Sequence, residues 1–307
     1  MTNLNVKYPL LEKMIEEARS DLPLGVVYPL SAPALETVFD LIKRRLCTPI
    51  LIGPKKEIEE LAATEGLLLN GIQIVDTPNN PILATKKAVE MVKEGKLAVL
   101  MKGSLHTEDL MGPIVSRDGL RTDRRTSHLF LFELERYPKL LGISDCVVNI
   151  APNAAQKIQI LKSSLEALSK LGIKHTKVAI IAATEVINPT MQATTDAKEI
   201  VDAHAINPIH VDTIIEGPFG FDNAISAESA KTKGIKSVVA GDPDLLIVPD
   251  LQVGNILYKS LIYMAGAECA GTVLGAQVPI ILTSRADTVF SRVASCAMAI
   301  ILAKNSQ

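Results

Sequence analysis

Short apolar runs alternate with longer, charged stretches along the first third of the chain. These runs have the length and aliphatic content of buried strands, and they fall at residues 25–29, 48–53, 72–75 and 97–103. The stretches between them have helical spacing, as does a leading segment before the first run. Strands that alternate with helices in this way predict a parallel sheet with right-handed crossovers.

A polar stretch at residues 117–125 follows, and its four arginines are typical of a connector. A second series of predicted elements comes after it. Helices are expected at 153–172, near 193–203, from Asn223, from Gly254 and at 287–303. Strands are expected at 127–134, 146–150, 177–183, 211–217, 237–241, 245–249, 271–276 and 279–284.

This order predicts the α/β class, with two α/β lobes and an interdomain cleft in which ligands tend to bind. The last helix follows a strand of the second lobe and is interpreted as packing back on the first. The expected first domain is therefore residues 1–125 plus 287–307, and the second is residues 126–286.

Composition narrows the class of partner. Apolar residues make up 48% of the chain and aromatic residues 4%, without tryptophan, so an aliphatic core is expected. With 32 basic and 34 acidic side chains, the formal charge of -2 argues against nucleic acid or a membrane surface as partner. No secretory pattern or membrane span is found, and the isolated cysteines read as buried thiols, so a cytoplasmic protein is expected. They are Cys47, Cys146, Cys269 and Cys296.

Signatures of nucleotide and metal sites are missing: the sequence contains no GxxxxGK[ST], GxGxxG or HExxH. No metal or cofactor is therefore predicted. Polar residues follow the apolar strands instead, where open α/β sheets bind ligands. Lys102, Ser104, His106 and Thr107 follow one strand and could hold a phosphate, or could simply be a turn with a Ser or Thr cap.

Three further segments are candidates. Ser284, Arg285 and Asp287 follow the last strand, where Arg285 could contact an anion or the segment could only cap a helix. Asp222 and Asn223 follow another strand in a glycine-rich turn, for which an Asx cap is the simpler interpretation. The remaining candidates are Asn255, beside an apolar stripe typical of a core or a subunit interface, and Ser127 and His128 before a strand.

Seven segments together resemble the phosphate acetyl/butyryltransferase family. They run in the order of the family from about residue 100 to the C-terminus, and two of them, PIILTSRAD and NILYKSLIY, are closer to the butyryltransferase branch. The segments are MKGSLHT (101–107), RTSHLFLFEL (125–134), DCVVNIAPN (145–153), VINPTMQAT (186–194), EGPFGFDNAIS (216–226), PDLQVGNILYKSLIYMAG (249–266) and GAQVPIILTSRAD (275–287).

The resemblance implies an enzyme that converts acyl-CoA and phosphate into acyl phosphate and CoA, with CoA as a substrate and no cofactor. It also implies a fold like that of isocitrate and isopropylmalate dehydrogenases, with the site in the cleft, and a homodimer. The catalytic Ser-Arg pair falls on Ser284 and Arg285. The proposed base of the acetyltransferase branch falls on Ser291, so Asp287, His106 or His128 would replace it. Substrate contacts are expected from Lys102, Ser104, His106, Thr107, Ser127, His128, Asp222, Asn223 and Asn255.

Two other functions remain compatible with the sequence. One is a metal- and NAD-dependent dehydrogenase of the same fold, which would need paired Asp or His ligands. The other is a non-catalytic acyl-CoA-binding protein that has lost the base, as Ser291 allows.

Overall fold

The described residues group into two units. The computed structural model describes residues 7–282 and 287–306. The first unit holds those up to 124 and from 270 onwards, and the second holds 125–269. Before residue 125 the elements are α1 (Pro9–Glu17), β1 (Pro23–Val27), α2 (Ala32–Lys43), β2 (Thr48–Gly53), α3 (Lys55–Thr64), β3 (Gln73–Asp76), α4 (Pro81–Lys93), β4 (Val99–Lys102) and α5 (Thr107–Val115).

The second unit begins with a strand and contains both α-helices and a sheet. Its elements are β5 (Ser127–Glu133), β6 (Leu141–Ser144), α6 (Ala154–Lys170), β7 (Thr176–Ile181), α7 (Gln192–Ile206), β8 (Thr213–Phe219), α8 (Phe221–Ile225), α9 (Ala227–Thr232), β9 (Leu245–Ile247) and α10 (Leu251–Tyr263). The chain re-enters the first unit within the next strand. The last elements are β10 (Glu268–Leu274), β11 (Ile280–Ile281) and α11 (Val289–Lys304).

The sheet of the first unit has the strand order β3-β2-β1-β4-β11-β10. The parallel pairing predicted for the first four strands is confirmed. β11 also runs parallel to β4, while β10 is antiparallel to β11. Because β11 hydrogen-bonds to β4, residues 270–282 lie in the first unit, whereas the sequence pattern assigns them to the second.

The core of the first unit is aliphatic, as the composition predicts. Val27, Ile52 and Leu100 are fully buried in the sheet, within a cluster that includes apolar side chains of α4 and α5. The last helix, α11, packs against α1, α2, β4 and β11 and is buried along most of its length. Its Ala-rich sequence allows this close packing because small side chains let a helix approach a sheet.

The sheet of the second unit has the order β5-β6-β9-β7-β8, in which β5 is antiparallel and the other strands are parallel. The few aromatic residues concentrate in its core. Phe130 stacks on Tyr258 with ring centroids 4.5 Å apart, and Phe132 lies 5.5 Å from Phe130. Both units are thus α/β, while the interdomain cleft and the isocitrate-dehydrogenase type of fold stay predictions.

Two predicted strands, 146–150 and 237–241, are wrong. In the first, the carboxylate of Asp145 accepts the backbone N–H groups of residues 147, 148 and 149, so the chain turns and the strand is the preceding β6. In the second, the Ser237 hydroxyl accepts the N–H groups of residues 239 and 240. In both places a side chain takes the donors that a strand would use.

All four cysteines are buried and free of disulfides. Burial raises the pKa of Cys47 to about 12, so its thiol stays protonated at neutral pH. Within residues 7–282 and 287–306, no helix has the length and apolar character to cross a membrane.

Candidate active site

The chain turns sharply after β4, at residues 102–107, which are called the β4 turn below. The backbone N–H groups of Gly103 and Ser104 donate to the carbonyl oxygens of Val27 and Tyr28 at 2.9 and 2.8 Å. A Cβ atom on Gly103 would lie 2.5 Å from each of these oxygens. Only glycine allows this approach, so the β4 turn is fixed against the end of β1.

The polar side chains of the β4 turn differ in how they are held. Lys102 is 8% exposed and donates to the carbonyl oxygen of Leu105 at 3.1 Å. The Ser104 hydroxyl is buried and has no hydrogen-bond partner among the described residues. His106 occupies the N-cap position before Thr107 and makes no side-chain capping bond, so the alternative of a Ser or Thr cap is wrong. The first-turn amides of α5 are therefore not capped by that side chain.

Strand β11 ends next to the β4 turn. In the parallel pair of β11 and β4, Ile281 lies opposite Met101. Both strands therefore end at the same edge, as the strand-end argument predicts. Ser284 and Arg285 lie outside the described residues, so their roles stay predictions.

The last helix begins later than the sequence indicates. It starts at Val289, and its N-cap is Thr288, whose hydroxyl accepts the N–H of Ser291 at 2.9 Å. Asp287 precedes the cap and therefore lies outside the helix that was predicted to begin at residue 287. Ser291 is 4% exposed, which places the position aligned with the family's base inside the protein.

One buried arginine near this segment is missing from the sequence-based candidates. Arg292 is 5% exposed, and its Nε–H donates to the backbone carbonyl oxygen of Asp287 at 3.3 Å. The contact fixes the backbone where the chain enters α11. The sequence could have indicated Arg292, because it is the one charged residue between positions 289 and 303 and a charge in an apolar helix requires partners.

Ser127 and His128 open β5 and are buried, with 0% and 1% exposure. Neither the Ser127 hydroxyl nor either ring nitrogen of His128 has a hydrogen-bond partner within the described chain. The imidazole packs on Phe130 with centroids 4.2 Å apart, and burial lowers the pKa of His128 to about 3. An imidazole with a pKa this low is too weak a base to accept the proton of the CoA thiol at neutral pH, which was one of the roles considered for His128.

Burial of this uncharged histidine predicts acid sensitivity. As pH falls from about 6.5 towards 3, the unfolded chain binds a proton that folded His128 does not, so the free energy of unfolding drops by about 1.4 kcal/mol per pH unit. Denaturant titrations of wild type and His128→Gln between pH 7.5 and 4.5 measure this. The variant should lose less stability in acid, and equal losses would contradict the assignment.

Asp222 and Asn223 hold the start of α8 and α9. Asn223 is fully buried and its amide donates to the Glu185 carboxylate at 3.1 Å. Asp222 accepts from the Ser229 hydroxyl at 2.9 Å and pairs with Lys233 at 3.1 Å, and these partners lower the pKa of Asp222. Asp222 lies inside α8 rather than at its N-cap, so the predicted Asx cap is wrong.

The start of α10 lies against the loop that follows β6. Asn255 donates to the carbonyl oxygen of Cys146 at 3.4 Å, and a Cβ on Gly254 would lie 2.8 Å from the carbonyl oxygen of Asp145. Asp250 caps the helix by accepting the N–H of Val253 at 2.9 Å.

In the part of the chain that the structure describes, no group of three His, Cys, Asp or Glu residues could hold a metal ion.

The sequence relatives include phosphate acetyltransferases and phosphate butyryltransferases. The family model for phosphate acetyl/butaryl transferase matches residues 82–300. A phosphate acetyltransferase of Rhizobium meliloti is 39% identical over 295 residues, which cover 95% of this chain and 93% of the relative. A phosphate butyryltransferase of Clostridium acetobutylicum is 36% identical over 274 residues, covering 89% and 90%. These values do not separate the two branches, so the closer likeness to the butyryl branch stays a prediction.

Solved structures agree with the sequence relatives. A branched-chain phosphotransacylase from Enterococcus faecalis V583 superposes with a TM-score of 0.80 at 29% identity, covering 92% of this chain and 99% of that one. A 4-hydroxythreonine-4-phosphate dehydrogenase from Klebsiella pneumoniae shares the fold alone, with a TM-score of 0.58 at 13% identity, covering 92% and 100%. By the family match and by identity along nearly its whole length, the chain belongs to the phosphate acetyl/butaryl transferase family.

Proposed function

We propose that the protein transfers an acyl group between CoA and inorganic phosphate. The observation that carries this is the family match over residues 82–300, which includes the β4 turn and the segment after β11. In the reaction, a phosphate oxygen attacks the thioester carbonyl carbon, and a tetrahedral intermediate forms. The C–S bond then breaks, the acyl phosphate is released, and CoA leaves as a thiolate that takes up a proton. CoA is a substrate here, and no other cofactor is needed.

The β4 turn is proposed to hold the phosphate. Its support is the pair of hydroxyls on Ser104 and Thr107 and the uncapped amides at the start of α5, which are typical donors to a dianion. The ammonium of Lys102 adds positive charge close by. It offsets the acidic side chains of Glu108 and Asp109 in the first turn of α5.

Ser284 and Arg285 are proposed to stabilise the oxyanion of the tetrahedral intermediate. The support is the family's Ser-Arg pair, which falls on these positions, and the parallel pairing of β11 with β4. An arginine fork aimed at the developing charge stabilises the transition state more than the ground state.

Asp287 is proposed as the group that exchanges a proton with the CoA thiol, with exposed His106 as the alternative. A thiol with a pKa of about 8.5 attacks acyl phosphate as the thiolate, so a nearby base increases the rate at neutral pH. Asp287→Asn should therefore lower kcat about 100-fold or more while CoA affinity is kept. Initial rates and calorimetric CoA binding measure both, with exposed Asp21→Asn as the control. A wild-type kcat in Asp287→Asn would shift the role to His106.

The proposed function is tested by supplying acetyl-, propionyl- and butyryl-CoA with phosphate and following thiol release. Release should depend on phosphate with at least one thioester, and the preferred chain length would assign the branch. An acyl-CoA-binding protein would bind the thioester without release. Absence of phosphate-dependent release from all three would refute transacylase activity.

We further propose a homodimer. Its support is the apolar helix α10. Within this helix only Gly254 is buried, and the side chains that face outward are large. Ile256, Tyr263 and Met264 are 67, 69 and 86% exposed, which is typical of an interface patch. Light scattering should give twice the chain mass of 33.0 kDa, and a monomer at micromolar concentration would contradict the proposal.

A further inference from the structure

Arg125 is held by one edge of its guanidinium group. Its Nε–H donates to the side-chain oxygen of Asn149 at 2.6 Å, and the residue is half-buried just before β5. Within residues 7–282 and 287–306, the two terminal nitrogens have no hydrogen bond or ion pair. An arginine that is fixed through Nε presents these nitrogens as a rigid fork.

The amide of Asn149 has one possible orientation. Its NH2 group donates to the carbonyl oxygen of Thr126 at 3.0 Å and to the carboxylate of Asp145 at 2.5 Å. A flipped amide would place a donor against the Nε–H of Arg125. The oxygen must therefore face Arg125, which fixes the direction of the guanidinium plane.

Asp145 anchors this arrangement in the interior. It is 4% exposed, and its carboxylate also accepts the backbone N–H groups of Val147, Val148 and Asn149 at 2.8, 3.0 and 3.2 Å. A buried carboxylate with this many donors is costly to displace. The chain thus orients one arginine through a buried carboxylate and an amide, while the terminal nitrogens of its guanidinium have no partner among the described residues.

We propose that Arg125 binds a phosphoryl group of the substrates through its two terminal nitrogens, with Asn149 and Asp145 as positioning residues. The inference rests on the proposed function, in which every substrate carries phosphate. Guanidinium and phosphate match in geometry and form paired, charge-assisted hydrogen bonds. The Ser127 hydroxyl, two residues along, is a second polar group that is fully buried and unpartnered within the described residues. The phosphoryl group is either that of inorganic or acyl phosphate, or one of CoA.

Steady-state kinetics of Arg125→Gln distinguish these sources. If the fork holds inorganic phosphate, the KM for phosphate rises about tenfold or more while the KM for acyl-CoA stays the same. If it holds the 3′-phosphate of CoA, the KM for acyl-CoA rises instead, and wild type and variant agree on acyl-dephospho-CoA. If it holds the CoA pyrophosphate, the increase persists on acyl-dephospho-CoA. Arg117→Gln, an exposed arginine in the same connector, removes the same charge and should change neither KM.

Asn149→Leu tests positioning. It should raise the same KM as Arg125→Gln with little change in kcat, and circular dichroism confirms that the variant is folded. Calorimetric titration of wild type and Arg125→Gln with inorganic phosphate and with CoA gives affinities without turnover. Arg125-dependent binding in a protein that shows no acyl transfer would uphold this inference while the proposed function fails. Equal affinities and KM values for wild type and Arg125→Gln, or equal losses in Arg117→Gln, would overturn it.

Discussion

Arg285→Ala is expected to lower kcat by roughly 10²–10³, equivalent to about 3 kcal/mol, because an oxyanion donor acts mainly in the transition state. Arg285 follows β11, which ends beside the β4 turn. The role proposed for Arg285 is to stabilise the thioester oxygen as negative charge develops there. Steady-state rates with acyl-CoA and phosphate measure the loss.

Arg285→Lys is the matched control, since it keeps the charge and loses the planar fork. It should recover only part of the rate, while the thermal midpoints of both variants stay near that of wild type. A kcat within threefold of wild type in Arg285→Ala would remove Arg285 from the chemistry. The Ser-Arg pair would then have no part in the transfer of the acyl group.

Gly103→Ala is expected to destabilise the protein by about 1–3 kcal/mol and to reduce activity strongly. The added Cβ would lie 2.5 Å from the carbonyl oxygens of Val27 and Tyr28, and backbone atoms cannot rotate away as a side chain can. The β4 turn must then move away from β1, which displaces Ser104 and the start of α5. Urea unfolding and the KM for phosphate measure the two effects.

Gly112→Ala provides the control within the neighbouring helix α5. Apart from its chain neighbours, a Cβ at Gly112 meets no atom within 4 Å, although Pro113 disfavours helical backbone for an alanine before it. Gly112→Ala should therefore destabilise the protein less than Gly103→Ala does. A Gly103→Ala protein as stable and as active as wild type would show that the close approach to β1 is unimportant.

Strands could be predicted from the sequence where no nearby side chain takes the backbone hydrogen-bond donors of the apolar run. The run 48–53 coincides with β2, and the alternating run from Ser127 coincides with β5. The run 146–150 has the same apolar character, yet Asp145 takes its backbone donors and turns the chain. Hydrophobic pattern therefore predicts burial better than it predicts where backbone hydrogen bonds go.

Part of the candidate site was predictable for a topological reason. Parallel strands end at one edge of a sheet, so β4 and β11 could be expected to end side by side there. Contacts between distant residues could not be predicted, because spacing does not show them. The bond of Arg125 to Asn149 spans 24 residues. The buried, neutral state of His128 likewise depends on packing around the ring.

Direct detection of acyl phosphate tests the central claim most sharply. Purified protein, butyryl-CoA or acetyl-CoA and inorganic phosphate are incubated at neutral pH, and products are followed by phosphorus NMR. An acyl phosphate resonance should grow in equal amount to the free thiol and disappear when excess CoA reverses the reaction. Thiol release that yields no acyl phosphate would contradict acyl transfer to phosphate. So would thiol release that yields only the free acid and does not depend on phosphate.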